Sequence, residues 1–226
     1  MSADQSAGLH VLVLAAGAAR RFGSPKQLAR IGDRPLLPLC VGRATQVGGH
    51  AVTVVLGAYA ADLTPLLRHS GASVAINRDW EEGMASSIRA GLAHVSGAID
   101  GVLIMLADQP DVSSDDLARL VAAWRRQPDG LAAATYGSSF GVPAIFPRWC
   151  LRELHELRGE TGARSVLHRH LEQLTRVAMP SAAFDIDTPE DLLQHAEIIA
   201  RAAITSPAPL SAATEAAAKR LTLLDD

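Results

Sequence analysis

Apolar residues along this chain fall into short, near-continuous runs separated by longer stretches in which they recur every three or four positions. Residues 10–14, 51–56, 73–76 and 101–106 are runs of the first kind, which read as strands covered on both faces. Residues 36–47, 60–69, 85–95 and 113–126 are stretches of the second kind and predict helices. At the start of the last helix Ser113 or Ser114 can cap, and Asp115 and Asp116 complement the helix dipole. Strands alternating with helices in this way are the signature of βαβ units around a mostly parallel sheet.

After Gly130 the pattern is less regular. Residues 131–135 and 142–146 predict two strands, the second preceded by the turn-prone Gly137, Ser138 and Ser139, and together they suggest an antiparallel excursion from the sheet. Residues 151–157 and 163–171 predict short helices on either side of a turn at 158–162. A last strand is expected near 184–186, leading into a helix from Thr188 with Pro189 at its first position and Glu190 and Asp191 in its first turn. Beyond Thr205 the chain is Ala-rich and interrupted by Pro, which reads as a peripheral tail, helical over 211–221. The expected organisation is one domain over residues 1–203 and a tail over 204–226.

Composition supports that frame. With 226 residues, 48% of them hydrophobic and 20% charged, the chain can bury a full core for one α/β domain, whereas two domains would be cramped. A formal net charge of −3 provides no broad cationic field for nucleic acid or anionic lipid, so any phosphate must be held locally. Cys40 and Cys150 stand in no metal-ligand spacing, which argues against a disulfide framework and for a reducing cytoplasm. The N-terminus has no basic stretch, and the apolar run 10–16 is too short for a signal core or a membrane span, so a soluble, unprocessed protein is expected.

Four segments carry candidate chemistry. The first, LAAGAARRFGSPKQL over 14–28, directly follows a predicted strand and combines a glycine turn with cations. Gly17 and Gly23 let backbone amides approach phosphate oxygens, while Arg21 and Lys26 neutralise their charge. The segment is neither a GxxxxGK[ST] P-loop nor a GxGxxG fingerprint, which disfavours a P-loop NTPase and a dinucleotide dehydrogenase. In the second, NRDWEEGMASSIRAGL over 77–92, Gly83 permits a tight backbone, and Ser86 and Ser87 near a helix start can bond a base or ribose. The third places Asp108 just after the run 101–106, at a strand's carboxyl end beside the first loop, where a carboxylate can hold Mg²⁺ together with substrate phosphates. The fourth, FDIDTPEDL over 184–192, puts Asp185 and Asp187 on alternate positions of a short strand, so that both carboxylates project to one face. Each has an ordinary structural explanation as well: a basic surface loop, helix capping, a turn aspartate before Pro, and a capped helix start. His168 and His170 lie two apart with no HExxH or Cys cluster, and no GxSxG surrounds any serine, which disfavours zinc and covalent-hydrolase chemistry.

On these segments the chain resembles the MobA-like nucleotidyltransferases, and among them the molybdenum cofactor cytidylyltransferases. The family opens with LAAGxSxRMG followed by KxL, and Leu14, Ala15, Ala16, Gly17, Arg21, Gly23, Lys26 and Leu28 fit it, while Ala19 replaces the usual Ser and Phe22 the usual Met. The Asn77, Trp80, Gly83–Met84 and Ser86–Ser87 succession and the DIDTPED segment are also similar. Gly141, Pro143, Gly159, Gly162 and Arg164 fall in segments similar to those on the family's acceptor side. The resemblance implies a Rossmann-like three-layer α/β sandwich with a mostly parallel sheet and a small antiparallel extension over the cleft. It implies Arg21, Lys26 and Asp108 as catalytic groups and Mg²⁺ on Asp108, Asp187 and Asp185. Leu14 to Gly17, Gly23, Lys26, Gly83, Ser86, Ser87 and Asp108 are implied around an NTP. Ala16, where guanylyl-transferring relatives have Gly, implies CTP, with a molybdopterin-type phosphate as acceptor and a molybdoenzyme or its chaperone as recipient. The alternatives are GTP, a sugar or alcohol phosphate acceptor, or a silent cofactor-binding protein on the same fold.

Overall fold

The computed structural model describes residues 8–205. A seven-stranded sheet, ordered β5-β4-β1-β6-β8-β7-β9, forms the frame. Its left half is parallel: β1 (Leu9–Ala15) is flanked by β4 (Val52–Leu56) and β6 (Gly101–Leu106), and β5 (Ser73–Ile76) lies outside β4. β8 (Ser139–Pro147) runs antiparallel between β6 and β7 (Leu131–Tyr136). β9 (Leu174–Ala178) is the parallel edge beside β7. A separate two-stranded hairpin joins β2 (Arg30–Ile31) to β3 (Arg34–Pro35).

Side-chain alternation divides the core between the two faces of the sheet. Val11, Val13 and Ala15 of β1 join Leu103 and Met105 of β6 on one face, under α1 (Leu36–Gly48) and α4 (Ser114–Arg125). Leu12 and Leu14 join Val102 and Ile104 on the other, under α3 (Met84–Leu92), α5 (Leu151–Glu156) and α6 (Arg164–Arg169). The fold is therefore the expected three-layer α/β sandwich, because strands that are apolar at consecutive positions need cover on both sides. The antiparallel segment is built into the main sheet through β8.

Two elements differ from the sequence-based expectation. Residues 184–186 form an extended stretch without sheet pairing, and the last strand is β9, ten residues earlier in the chain. β9 sets Thr175 and Arg176 side by side between Leu174 and Val177, and none of its five residues is fully buried, so it lacks the apolar run that marks the central strands. The helix expected over 60–69 is a single α-turn, α2 (Ala60–Leu63), that tightens into a 3₁₀ turn at Thr64–Leu67 with Pro65 in its first turn. The chain parts into two compact units between Pro189 and Glu190, with the sheet and the site described below in the first. The helix from Pro189 is present as α7 (Pro189–Thr205), and the tail helix expected over 211–221 lies outside the described residues. Among the described residues no helix is long and apolar enough to cross a membrane, and Cys40 and Cys150 are free and buried.

α4 has the capping expected of it. The Ser113 hydroxyl accepts from the Asp116 amide at 3.1 Å, and the Ser113 amide donates to the Asp116 carboxylate at 3.0 Å. Ser181 and Arg119 also bond that carboxylate, at 2.8 and 2.6 Å. Replacing Ser113 with Ala should therefore lower unfolding free energy by about 1 kcal/mol, within a range of roughly 0.5–2, as read by equilibrium urea denaturation. A stability equal to that of the unaltered chain would contradict this account of the cap.

Candidate active site

β1 delivers the chain to the carboxyl edge of the sheet, where Ala16, Gly17 and Ala18 turn outward. Three side contacts pin this loop from beneath. The Gln27 amide donates to the carbonyls of Ala15 and Gly17 at 3.0 and 3.3 Å, and the Tyr59 hydroxyl donates to the Ala18 carbonyl at 3.1 Å. The Ala58 amide donates to the Ala16 carbonyl at 3.1 Å. Gly57 makes this approach possible, since a Cβ there would stand 2.5 Å from the Ala16 oxygen and 2.7 Å from the Trp80 Cβ. Further on, the amides of Phe22 and Gly23 both donate to the Ala19 carbonyl, curling the loop toward Lys26, with Ala19 itself in the left-handed region at φ 48°.

Lys26 is where the distant segments meet. Its Nζ lies 2.7 Å from Asp108 Oδ2 and 2.9 Å from Asp187 Oδ1, and Arg21 holds the other Asp187 oxygen at 2.7 Å. Asp108 arrives at the end of β6, fastened by the Ala107 amide to the Leu14 carbonyl at 3.1 Å and by the Cys40 thiol to the Ala107 carbonyl at 3.3 Å. Its own carbonyl accepts from the Ile186 amide at 2.9 Å, and the Gln109 amide reaches the Ala182 carbonyl at 3.1 Å. These two bonds dock residues 182–187 against the β6 edge, so Asp185 and Asp187 come to Asp108 without a strand to carry them.

The charges are strongly coupled. Burial pulls the Lys26 ammonium down, but the charge and hydrogen bond of Asp108, with those of Asp187, outweigh it and hold Lys26 above the ordinary lysine range. Partial burial raises Asp187, and the hydrogen bond and charge of Lys26 together with Arg21 overcome it, leaving that carboxyl below the usual range. Asp185 goes the other way: desolvation, then the negative charge of Asp108, push it up to about 6, with Asp187 adding to the rise and Gln109 and Lys26 opposing it. Although Asp185 is open to solvent on one side, it is the carboxyl least able to ionise here without a further positive charge.

Around this cluster lies a cavity of about 410 Å³. Of the residues expected at the site, Leu14, Ala15, Ala16, Gly17, Arg21, Lys26, Gly83, Ser87, Asp108 and Asp187 line it. Trp80 and Met84 of the second motif line it too, and so do Arg20, Gln27, Glu81 and Glu160, which were not singled out. Arg20 and Gln27 sit inside the first motif, where their neighbours carried the pattern, and no local signal marks the others. Ser86 and Gly23 stand outside the lining. The Ser86 hydroxyl is buried, donating to the Gly83 carbonyl and accepting from Asn77, which also bonds Ser87, so Asn77 and Ser86 brace the turn that presents Ser87. Gly141, Gly162 and Arg164 line a smaller, mainly apolar cavity of about 170 Å³ that shares Leu14, Met84 and Leu106 with the first. Pro143 follows a cis bond inside β8, and Gly159 packs against Gly83; neither lines either of these two cavities.

A divalent cation fits the acidic side of this cluster. Asp108 Oδ1 is buried without a hydrogen-bond partner, and Asp185 is held up first by burial and then by the negative charge of Asp108, both of which a cation would offset. Among the described residues no group of three or more His, Cys, Asp or Glu side chains forms a ready-made metal cage. That accords with an ion which takes one or two carboxylates and completes its shell with water and substrate phosphates.

Residues 11–174 match the family described as the MobA-like NTP transferase domain. The chain belongs to that family. It is 31% identical over 200 residues to the nicotine blue oxidoreductase of Paenarthrobacter nicotinovorans, covering 80% of this chain and 93% of that protein. It is 36% identical over 126 residues to the purine catabolism protein PucB of Bacillus subtilis, covering 53% of this chain and 58% of PucB. Among solved structures, the manganese complex of Rv0371c from Mycobacterium tuberculosis superposes with a TM-score of 0.70 at 28% identity, over 84% of this chain and 98% of that one. That protein of similar fold was thus solved with a divalent metal.

The position of Asp185 sets a pH dependence for the metal-free protein. A carboxyl raised from 3.8 to about 6 on folding costs nothing while protonated in both states, and its ionisation destabilises the fold progressively as pH rises through that window. Asp185→Asn should therefore raise the melting temperature above pH 7 and leave it unchanged near pH 4. Added Mn²⁺ should stabilise the unaltered protein more than the variant. Equal melting shifts at both pH values would refute this assignment.

Proposed function

We propose that this protein is a magnesium-dependent cytidylyltransferase that joins CMP from CTP to the terminal phosphate of a molybdopterin-type cofactor, releasing pyrophosphate. The observation that carries the reading is the convergence of Lys26, Asp108 and Asp187 at the mouth of the cavity framed by residues 14–21. Cations on one segment and carboxylates on two others make a site for a metal–polyphosphate complex and leave no room for an uncharged ligand to satisfy them.

In this mechanism an oxygen of the acceptor phosphate attacks the α-phosphorus in line, the bond to the bridging oxygen breaks, and pyrophosphate departs with the electron pair. No protein nucleophile takes part. Arg20, Arg21 and Lys26 hold the triphosphate and neutralise the charge that builds on the departing oxygens. Asp108 and Asp187, with Asp185 beside them, would hold Mg²⁺, whose contribution when bound is to offset phosphate charge and polarise the α-phosphoryl group. Ser87 and the Gly83 turn face the nucleoside end. The smaller apolar cavity, with Arg164 at its rim, suits a bulky phosphorylated acceptor. The choice of CTP rests on Ala16, a buried residue whose methyl group faces Gly57. The expected setting is the cytoplasm, with a molybdoenzyme or its chaperone receiving the product.

A second reading is favoured by the oxidoreductase name of the relative from P. nicotinovorans, 93% of whose length this chain matches. In it the same cleft holds a dinucleotide electron carrier. A pyrophosphate-release assay with the four NTPs, Mg²⁺ and metal-loaded molybdopterin, run beside an assay of reduced nicotinamide dinucleotide oxidation, separates the two.

In the first assay CTP should be the preferred donor, with the dinucleotide product identified by mass. Lys26→Ala and Asp108→Ala should each lower turnover by about 100-fold or more while the far-UV spectrum stays native. Near-normal pyrophosphate release by either variant would reject the site. Ala16→Gly should raise use of GTP relative to CTP, and an unchanged ratio would remove Ala16 as the determinant of the base.

A further inference from the structure

The turn at 158–162, which the family resemblance places on the acceptor side, carries one side chain into the first cavity: Glu160. Its position is set from both sides. The Ala85 amide donates to the Gly159 carbonyl at 3.1 Å, and Arg89 bonds the Leu157 carbonyl at 2.7 Å while pairing with Glu82 at 2.5 Å. Gly83 closes the contact, because a Cβ there would stand 2.6 Å from the Gly159 oxygen and 2.9 Å from the Glu160 carboxyl carbon. The Glu160 carboxyl therefore lies against the Gly83 backbone, on the wall that also presents Met84 and Ser87.

Among the described residues Glu160 makes no hydrogen bond or ion pair, and neither does Glu81 on the same wall. Arg20, Arg21 and Lys26 line the same cavity, so it has both cationic and anionic lining. A carboxylate accepts hydrogen bonds and donates none, and it repels phosphate oxygens. Triphosphate therefore belongs with the cations, and whatever meets Glu160 must offer an O–H or N–H.

We propose that Glu160 is a specificity residue for the nucleoside end of the nucleotide, its carboxylate accepting a hydrogen bond from the sugar or the base, with Glu81 helping to set the direction in which the nucleotide lies. This rests on the reading of the cavity as an NTP site. It transfers Glu160 from the acceptor side to the nucleotide side and explains why the 83–85 and 157–160 segments are bound together: the carboxylate must be held at a set distance from Ser87 to read one ligand.

Calorimetric titration of the full chain and of Glu160→Ala, each with CTP, dCTP, UTP and inorganic tripolyphosphate, tests the assignment. Loss of a hydrogen bond to a charged acceptor should weaken CTP binding by about 10- to 100-fold. Tripolyphosphate should bind the variant as tightly as the unaltered chain or more tightly, which also shows that the variant is folded. If the donor is the 2′-hydroxyl, the variant no longer separates CTP from dCTP; if it is the cytosine amino group, it no longer separates CTP from UTP. Unchanged CTP binding by the variant, or an equal loss for tripolyphosphate, would overturn the role of Glu160 while leaving the site reading intact. Failure of the unaltered chain to bind any nucleotide or tripolyphosphate would overturn both.

Discussion

Two carboxylates, Asp108 and Asp187, meet at the sheet edge with Asp185 close enough to feel their charge, and the arrangement holds together because Lys26 stands between the first two. With an ammonium 2.7 Å from Asp108 and 2.9 Å from Asp187, the repulsion between those two acids is offset, and partial burial strengthens the attraction. Asp185, which has no equivalent partner, shows what the cluster is like without that help: its carboxyl is pushed up to about 6. The same imbalance suits the site to a divalent ion and a polyphosphate, which bring charges of both signs and redistribute the ones already present.

Building such a cluster requires three segments far apart in the chain to end at one place, and the sheet supplies that place. β1 and β6 are neighbours in parallel register, so the loop leaving β1 and Asp108 leaving β6 emerge at the same edge. That edge is the usual ligand-binding rim of an open α/β sheet. The third segment has no strand of its own. It is docked by backbone bonds from Ile186 to Asp108 and by the Gln109 amide to Ala182. Placement of Asp187 thus depends on the Asp108 turn, and a change at Gln109 or in the 182–187 stretch would act on the charge cluster at a distance.

On the opposite wall the organising force is backbone proximity. Gly83 and Gly159 pack so closely that only glycine fits at Gly83, and Arg89 ties the start and end of the contact to α3. The cavity is therefore assembled from one wall held by ion pairing and another held by close packing, with Trp80, which packs on Gly57, also in the lining.

Periodicity alone was enough for the central strands and helices of this protein, because a strand buried on both faces must be apolar at consecutive positions and a covering helix must repeat every three or four. The glycine and cation pattern of residues 14–28 and the aspartate after residues 101–106 were legible for the same local reason: each sits directly behind a strand that announces itself. Edge strand β9 was not legible, since a half-buried strand needs few apolar residues, and 184–186 was read as a strand because its alternation is real although nothing pairs with it. Tertiary structure alone decided which of the adjacent serines faces the cavity, that Gln27 and Tyr59 support the first loop, and that Glu160 joins the lining of the first cavity. Those outcomes depend on which backbone groups remain unpaired after the layers have packed, and that is a property of neighbours distant in the chain.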